Sequence, residues 1–287
     1  MSNAPWKLLA EYDLRPRKAL GQNFLTDPST AEMIIRKSGV GRSDTAVEIG
    51  AGLGALTFPL AGAARGVYAI EKDPEVAGIL DGALKERSVD NVLLKNQDIF
   101  DIDLAAIAGF EGQRLRIFGN LPYYISSQVL IYLINARTAI HQADLMFQKE
   151  VARRLLAGPG GKSYSRLTVM LQYYTEICRT ATVNAHLFWP VPKVDSEVLQ
   201  FRFKKRLQPE LKDHALFAEV VKAAFGRRRK TLRNALLSGN LGVRGADLDG
   251  MCRQSGIDPQ KRAETLPVER FAYLANAIYE YREGGCL

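Results

Sequence analysis

Short apolar runs alternate with longer segments of helical period through the first two thirds of the chain. Thr45–Ile49, Gly66–Ile70, Asn91–Lys95, Leu115–Phe118 and Ala143–Phe147 read as strands. Between them, Leu53–Ala63, Pro74–Glu86, a short segment near Leu104–Ala108 and Ser126–Asn135 carry apolar residues at helical spacing. Strands joined through helices are the signature of βαβ units, which build a parallel sheet with helices on both faces. A helical stretch at Tyr164–Tyr174 precedes two further strand candidates, Glu176–Val183 and Glu197–Phe203, read as an edge hairpin antiparallel to the rest.

After Lys204 the pattern changes. Leu207–Pro209 reads as a linker, and His214–Phe225, Lys230–Ser238, Ala246–Ser255 and Val268–Tyr281 are all helical, with no strand among them. The expectation is a Rossmann-like α/β domain over residues 1–206 and a small all-helical domain over residues 207–287. A chain of 287 residues, 47% of them hydrophobic, can bury both cores. There is no internal repeat and no low-complexity segment.

Charge changes this picture only in the second region. The chain carries a formal net charge of +8. From Arg202 to Arg233 stand eleven Lys or Arg against three acidic residues, an excess equal to that of the whole chain. The basicity is therefore local, which points to an anionic partner such as nucleic acid. The plainer reading of such a run is a solvated charged face with some ion pairing.

Cys178, Cys252 and Cys286 are far apart and odd in number, and His141, His186 and His214 show no ligand spacing. Neither a disulfide framework nor a metal site is expected, and a reducing cytoplasm fits. No stretch approaches the roughly 20 apolar residues of a membrane span, and the start lacks the pattern of a signal peptide.

Val47-Glu48-Ile49-Gly50-Ala51-Gly52-Leu53-Gly54 follows the first strand and leads into a helix. Glycines at such a turn let the backbone approach a ligand closely, and Glu71, at the end of the second strand, can accept hydrogen bonds from a ribose diol. Gly50, Gly52 and Ala55 also fit the dinucleotide pattern, so a nicotinamide cofactor stays open on this segment alone. Two carboxylates favour S-adenosylmethionine. Glu48, just before the first glycine, suits a cationic ligand better than a pyrophosphate. Asp98, ending the third strand, can accept from an adenine amino group, although Asp there also serves as the N-cap of the next short helix.

The fourth strand ends in Phe118-Gly119-Asn120-Leu121-Pro122-Tyr123-Tyr124. Open α/β sheets bind ligands at the carboxyl ends of their strands. The amino group of adenine is a poor nucleophile because its lone pair is delocalised into the ring. Two acceptors beside it favour the tetrahedral nitrogen that attacks a methyl group, and the side-chain oxygen of Asn120 and the backbone carbonyl of Leu121 can supply them. Pro122 fixes its own φ and restricts Leu121. Tyr123 offers a face on which a base can stack, and Phe188, in Phe188-Trp189-Pro190-Val191-Pro192, can form the opposite wall. A sulfonium donor leaves as a neutral thioether, so alignment can supply most of the acceleration without a strong base. The plainer readings are a Pro-containing turn and a stiff surface loop, each with aromatics packed beneath it.

Further runs join these: Gly21-Gln22-Asn23-Phe24-Leu25, Ile70-Glu71-Lys72-Asp73, Gln97-Asp98, Gln148-Lys149-Glu150-Val151, Arg228-Arg229-Lys230-Thr231-Leu232-Arg233-Asn234 and Arg262-Ala263-Glu264. In combination, from about Arg17 to the C-terminal helix, the chain resembles the ribosomal RNA adenine dimethyltransferases, most closely the bacterial KsgA (RsmA) type. The resemblance implies a Rossmann-like S-adenosylmethionine-dependent methyltransferase domain, with Asn23, Leu25, Gly50, Glu71, Asp98 and Asn120 lining the donor site. It also implies dimethylation of two adjacent adenosines near the 3′ end of 16S small-subunit rRNA during ribosome assembly. Tyr124, where several members have Asn, and Ala51, where many have Pro, depart from the family pattern.

In this reading Arg227, Arg228, Arg229, Lys230 and Arg233 begin the second helix of the helical domain and contact RNA phosphates. The enzyme is expected to act as a monomer on the rRNA or a pre-30S particle. The alternatives are a large-subunit rRNA methyltransferase of the macrolide-resistance type, a non-catalytic nucleic-acid-binding factor on the same fold, and a small-molecule methyltransferase.

Overall fold

The computed structural model describes residues 5–17, 21–122 and 124–284. The chain divides into two compact units, Met1–Ala152 with Glu176–Phe203, and Arg153–Thr175 with Lys204–Leu287.

The first unit opens with α1 (Pro5–Glu11), β1 (Phe24–Leu25) and α2 (Pro28–Ser38). The sheet follows in alternation: β2 (Thr45–Ile49), α3 (Thr57–Ala63), β3 (Gly66–Glu71), α4 (Pro74–Glu86), β4 (Val92–Asn96), α5 (Leu104–Glu111), β5 (Leu115–Asn120), α6 (Ser126–Asn135) and β6 (Ile140–Gln148). The chain leaves along α7 (Lys149–Leu155) for α8 (Arg166–Tyr174) of the second unit. It returns with β7 (Thr175–Val183), β8 (Phe188–Trp189) and β9 (Ser196–Phe203).

The seven strands lie in the order β4-β3-β2-β5-β6-β9-β7. The first five are parallel, and β9 runs antiparallel to β6, pairing Leu145 with Leu199. All five residues of β2 are buried, as expected of a central strand covered on both faces. From β2 the chain proceeds to β3 on one side and later to β5 on the other. That reversal opens a crevice at the carboxyl ends of β2 and β5, the usual ligand position of such sheets. Two antiparallel residue pairs tie β1 to β8, Phe24 opposite Trp189 and Leu25 opposite Phe188.

Local chemistry sets the helix ends. The Asp73 side chain accepts from Glu75 N at 3.1 Å, with Pro74 at the first helical position, so α4 starts where its unpaired N–H groups find a cap. Asp27 and Pro28 do the same for α2, and Gly39, in the left-handed conformation, ends it. Leu25, Ile34, Ile35, Phe118, Met146 and Phe188 share one core cluster between α2 and the sheet.

The second unit is helical: α8, then α9 (His214–Gly226), α10 (Leu232–Leu237), α11 (Gly245–Gln254) and α12 (Val268–Gly284). The sequence pattern predicts a single change of domain at 206/207, whereas Arg153–Thr175 also belongs to the helical unit. The reason is aromatic packing. Tyr173 lies 4.7 Å from Phe217 of α9, centroid to centroid, Tyr164 lies 6.0 Å from Phe225, and Phe225 lies 5.7 Å from Phe271 of α12.

Candidate active site

A cavity of about 1290 Å³ opens at the ends of β2, β3 and β5. The turn after β2 forms its floor. Gly50 N and Ala51 N donate to the Ile70 carbonyl at 2.9 and 3.1 Å, which binds the turn to β3. Gly50 has φ 74°, a conformation that disfavours any side chain, and nothing lies within 4 Å of where its Cβ would be. The backbone is thus laid open toward the cavity.

Two carboxyl groups stand beneath this turn. Glu71 accepts from Gly52 N through Oε2 and from Asp73 N through Oε1, each at 2.8 Å. Burial raises its pKa. Each oxygen retains a lone pair, so the group that braces the turn can still accept from a ligand hydroxyl. Glu48 is 2% exposed and accepts from the Thr57 hydroxyl at 2.6 Å. Burial, opposed by Thr57 and reinforced by the charge of Glu71, pushes its carboxyl up to about 8. At neutral pH it is largely protonated, and a cation in the cavity would draw it toward ionisation.

Asp98 lines the same cavity. Its Oδ2 accepts from Lys72 Nζ at 2.7 Å and its Oδ1 from Phe100 N at 3.2 Å, which caps the short turn Ile99–Asp101. Burial opposes ionisation, but these hydrogen bonds outweigh it and hold the carboxyl below its ordinary range. The capping and ligand-facing readings of Asp98 are therefore compatible in one geometry.

Asn120 closes β5 beside the cavity. Its Nδ2 donates to the Asn23 carbonyl at 2.9 Å, committing the amide nitrogen and leaving the side-chain oxygen as the acceptor. Asn23 Nδ2 in turn donates to the Gly21 carbonyl at 3.0 Å. The arm that carries Asn23 is anchored elsewhere: Gln22 Nε2 donates to Asp73 at 2.9 Å, and Arg17 pairs with Asp73 at 3.3 Å and with Glu75 at 2.5 Å. Asn23, Leu25, Gly50, Glu71, Asp98, Asn120 and Leu121 all line the one cavity.

Phe188 departs from its expected place. It is 2% exposed and packs with Leu25 and Met146, both of which line the cavity, while Phe188 does not. Pairing of β8 with β1 sets it opposite Leu25 and draws the ring into apolar surroundings, behind the cavity wall. It presents no free face for a base sandwich. Tyr123, expected as the other face, lies outside the described residues; Tyr124 beside it is exposed and lines the cavity.

The ribosomal RNA adenine dimethylase family profile matches residues 14–280. The chain belongs to this family.

Among curated relatives, the ribosomal RNA small subunit methyltransferase A of Desulforapulum autotrophicum is 45% identical, over 96% of this chain and 96% of its own. The protein of the same name from Moorella thermoacetica is 43% identical, over 94% and 95%. Of solved structures, a dimethyladenosine transferase from Plasmodium falciparum superposes with a TM-score of 0.74 at 25% identity, covering 91% of this chain and 98% of that one. The 23S rRNA methyltransferase ErmE gives 0.67 at 25% identity, covering 89% and 99%.

Members of the adenine dimethylase family use S-adenosylmethionine, and the residues present fit that donor. The glycine turn offers open backbone, Glu71 and Asp98 offer acceptors, and Leu25, Ile49, Ile99 and Leu121 supply apolar walls. Among the described residues no group of His, Cys, Asp or Glu could hold a metal ion. No helix of the described residues is long and apolar enough to cross a membrane.

The basic run differs from the pattern expected of it. Arg227–Arg229 form a turn after α9, and α10 begins only at Leu232, because the Thr231 side chain accepts from Asn234 N and caps it there. The five cations therefore do not share a helix. Arg228 Nε donates to Glu264 at 3.0 Å, and Arg233 Nε donates to both oxygens of Asp249 at 2.8 and 3.0 Å. Arg227, Arg229 and Lys230 stay exposed.

Sequence reasoning missed Arg17, Gln22 and Asp73 as the anchor of the Asn23 arm. The cap signature of Asp73-Pro74 was legible; its second use as an anchor was not, since the partners are more than 50 residues apart.

Proposed function

We propose that this chain transfers methyl groups from S-adenosylmethionine to the exocyclic amino groups of two adjacent adenosines near the 3′ end of 16S small-subunit rRNA, in the cytoplasm, during assembly of the small subunit. The pairing of Asn120 with the Asn23 carbonyl carries this reading. It leaves the Asn120 side-chain oxygen as an acceptor beside a cavity that Leu121 also lines, together with Glu71 and Asp98, which suit the hydroxyls and amino group of a nucleoside. The names of the relatives at 45% and 43% identity support the small-subunit substrate over the large-subunit one.

The donor, when bound, supplies an electrophilic methyl group on a cationic sulfur. Gly50, Glu71 and Asp98 hold its nucleoside, and Glu48, ionised, balances its charge. The Asn120 oxygen and the Leu121 carbonyl accept from the target amino group, which loosens its lone pair from the ring and orients it for in-line attack. The departing proton passes to solvent, since the amine bears it only after the methyl has moved. Tyr123 stacks on the base. Phe188, behind Leu25 and Met146, supports that pocket, and it acts as a stacking face only if the ring turns out of the core. Arg227, Arg229 and Lys230 contact phosphates, while Arg228 and Arg233 hold the fold of that region.

The deciding experiment is methyl transfer from labelled donor to under-methylated small subunits, with mass mapping of the product and Asn120→Ala as control. Dimethyladenosine at adjacent positions, lost in the control, is expected. Transfer to large-subunit RNA alone assigns the chain to the resistance-type branch. No transfer to either leaves a binding factor.

A further inference from the structure

A second hollow, of about 780 Å³, lies in the first unit and shares a wall with the active-site cavity. Trp6, Gly21, Gln22 and Asn23 line both. The arm that carries Asn23 lies close against the run that ends β5. A Cβ on Gly21 would stand 3.2 Å from Pro122 Cβ, and the Asn23 carbonyl accepts from Asn120 Nδ2 at 2.9 Å. A group in the second hollow is therefore an immediate neighbour of a base held at Asn120.

The walls of the hollow are aromatic and rigid. Trp6, Ala10, Asp13 and Leu14 recur at helical spacing along α1 and the turn after it, so they share one face. The turn is made by Asp13, with φ 53°, and Leu14 N donates back to the Leu9 carbonyl at 2.8 Å. Leu14 thereby joins Leu9, Phe24, Val76 and Ile79 in a small core, on which Trp189 of β8 also packs. Trp189 and Pro190 form another wall of the hollow. Trp6 is 47% exposed, so this core does not consume its ring. The arm contributes shape alone. Gln22 Nε2 donates to Asp73 at 2.9 Å, and Gln22 Oε1 accepts from Arg17 N at 2.8 Å, which commits both ends of that amide. The charged lining is one residue of each sign, Asp13 and Arg15, both exposed and neither in an ion pair among the described residues.

We propose that this hollow holds the base next to the target adenosine, stacked against Trp6 and Trp189. The proposal rests on the reading of the chain as a methyltransferase of two adjacent adenosines, and it names where the second one waits. Swinging one adenosine out to Asn120 deprives its neighbour of a stacking partner, and a new aromatic face offsets that loss. Flat tryptophan and proline surfaces match a planar base, and unstacked bases in RNA are commonly held on such faces. The Asp13 carboxylate can accept from an exocyclic amino group, while Arg15 can reach the phosphate that joins the two nucleotides.

The test uses the full-length protein, saturated with S-adenosylhomocysteine, and a labelled hairpin from the 3′ end of small-subunit rRNA. A second hairpin carries an abasic residue in place of one of the two adjacent adenosines. Wild-type affinity is expected to fall about tenfold on the abasic hairpin, the order of one lost base stack. Trp6→Ala should lose about the same factor on the intact hairpin and nothing further on the abasic one, because both changes remove a single interaction. Trp6→Phe keeps a stacking face and should recover most of the affinity. Equal wild-type affinity for the two hairpins overturns the proposal. So do losses that multiply when Trp6→Ala meets the abasic hairpin, since the residue and the base would then act separately. A parallel fall in the affinity of Trp6→Ala for S-adenosylhomocysteine also overturns it, because Trp6 would then serve the donor cavity that it also lines. Coupled losses in a protein that methylates no small subunit keep the base pocket and remove the proposed reaction instead.

Discussion

The side-chain amide of Asn120 donates to the backbone carbonyl of Asn23, 2.9 Å away, across 97 residues of sequence. This bond joins the end of a central strand to an irregular arm and selects which end of the amide is an acceptor. Asn120→Asp keeps the shape but puts a charged acceptor against the Asn23 carbonyl. It is expected to lower kcat by about 10²–10³ or more, in the range of losing one positioned polar group, with less effect on donor affinity. Single-turnover methylation beside calorimetric donor titration separates the two; a variant with wild-type kcat removes Asn120 from the chemistry.

Gly119→Ala should act through the same strand end. Its Cβ would lie 2.9 Å from the Ile49 carbonyl oxygen and 3.0 Å from Leu121 Cδ2, so the strand must shift. Overpacking of this kind costs about 1–3 kcal/mol, and a displacement near 1 Å at Asn120 costs on the order of 10²-fold in rate. Urea unfolding and kcat measured together are expected to fall in company.

Arg17 pins the arm to the start of α4 through Asp73 and Glu75. Both Arg17 and Glu75 are substantially exposed, so Arg17→Ala should change global stability by less than about 1 kcal/mol. The arm loses an anchor next to Gln22 and Asn23, and the KM for the donor is expected to rise several-fold with kcat nearly kept. An equal fall in kcat and kcat/KM would show that the arm acts only in the transition state.

Glu48 makes stability depend on pH. Its carboxyl ionises near 4.5 in the unfolded chain but, buried, only at about 8 in the folded one. Between those values the folded state holds the extra proton, so the contribution of Glu48 to stability is full below about pH 4.5 and is lost as pH rises to about 8. Relative to Glu48→Gln, the wild type should lose stability across that window, by at most about 1.4 kcal/mol per pH unit. Donor binding near pH 7 should release a proton in the wild type and none in the variant, readable from calorimetry in buffers of different ionisation enthalpy. A pH-independent stability difference would mean that Glu48 is already ionised.

Arg233→Ala and Arg229→Ala should differ although the residues are four apart. Arg233 reaches both oxygens of a partly buried Asp249, and its loss is expected to cost about 1 kcal/mol or more. Arg229 is exposed, and its loss should leave thermal unfolding within about 0.5 kcal/mol of wild type.

The alternation of apolar runs was enough to read the five parallel strands and α4 and α6, because period-2 and period-3.6 patterns reflect burial that each segment undergoes wherever it packs. The site was partly legible for a related reason. Gly50, Glu71, Asp98 and Asn120 sit at strand ends, where the sheet topology itself brings them together. Helix α2 carried readable signals in Asp27-Pro28 and Gly39 and was overlooked; the two-residue β1 and β8 carried none, since so short a ribbon has no period. The start of α10 was misjudged because helical periodicity continues through Lys230, while the Thr231 cap sets the boundary.

The sequence by itself determined the order of the five parallel strands with the helices between them, the glycine turn after β2 and the Asn120 run that ends β5, all of which depend on residues near one another or on a simple repeating topology. Tertiary structure alone decided that Phe188 turns into the core, that Arg153–Thr175 joins the helical unit, and that Arg228 and Arg233 are ion-paired while Arg227, Arg229 and Lys230 stay exposed. Each of these depends on which distant side chain or carbonyl lies within hydrogen-bond or van der Waals reach, and no local pattern encodes that distance.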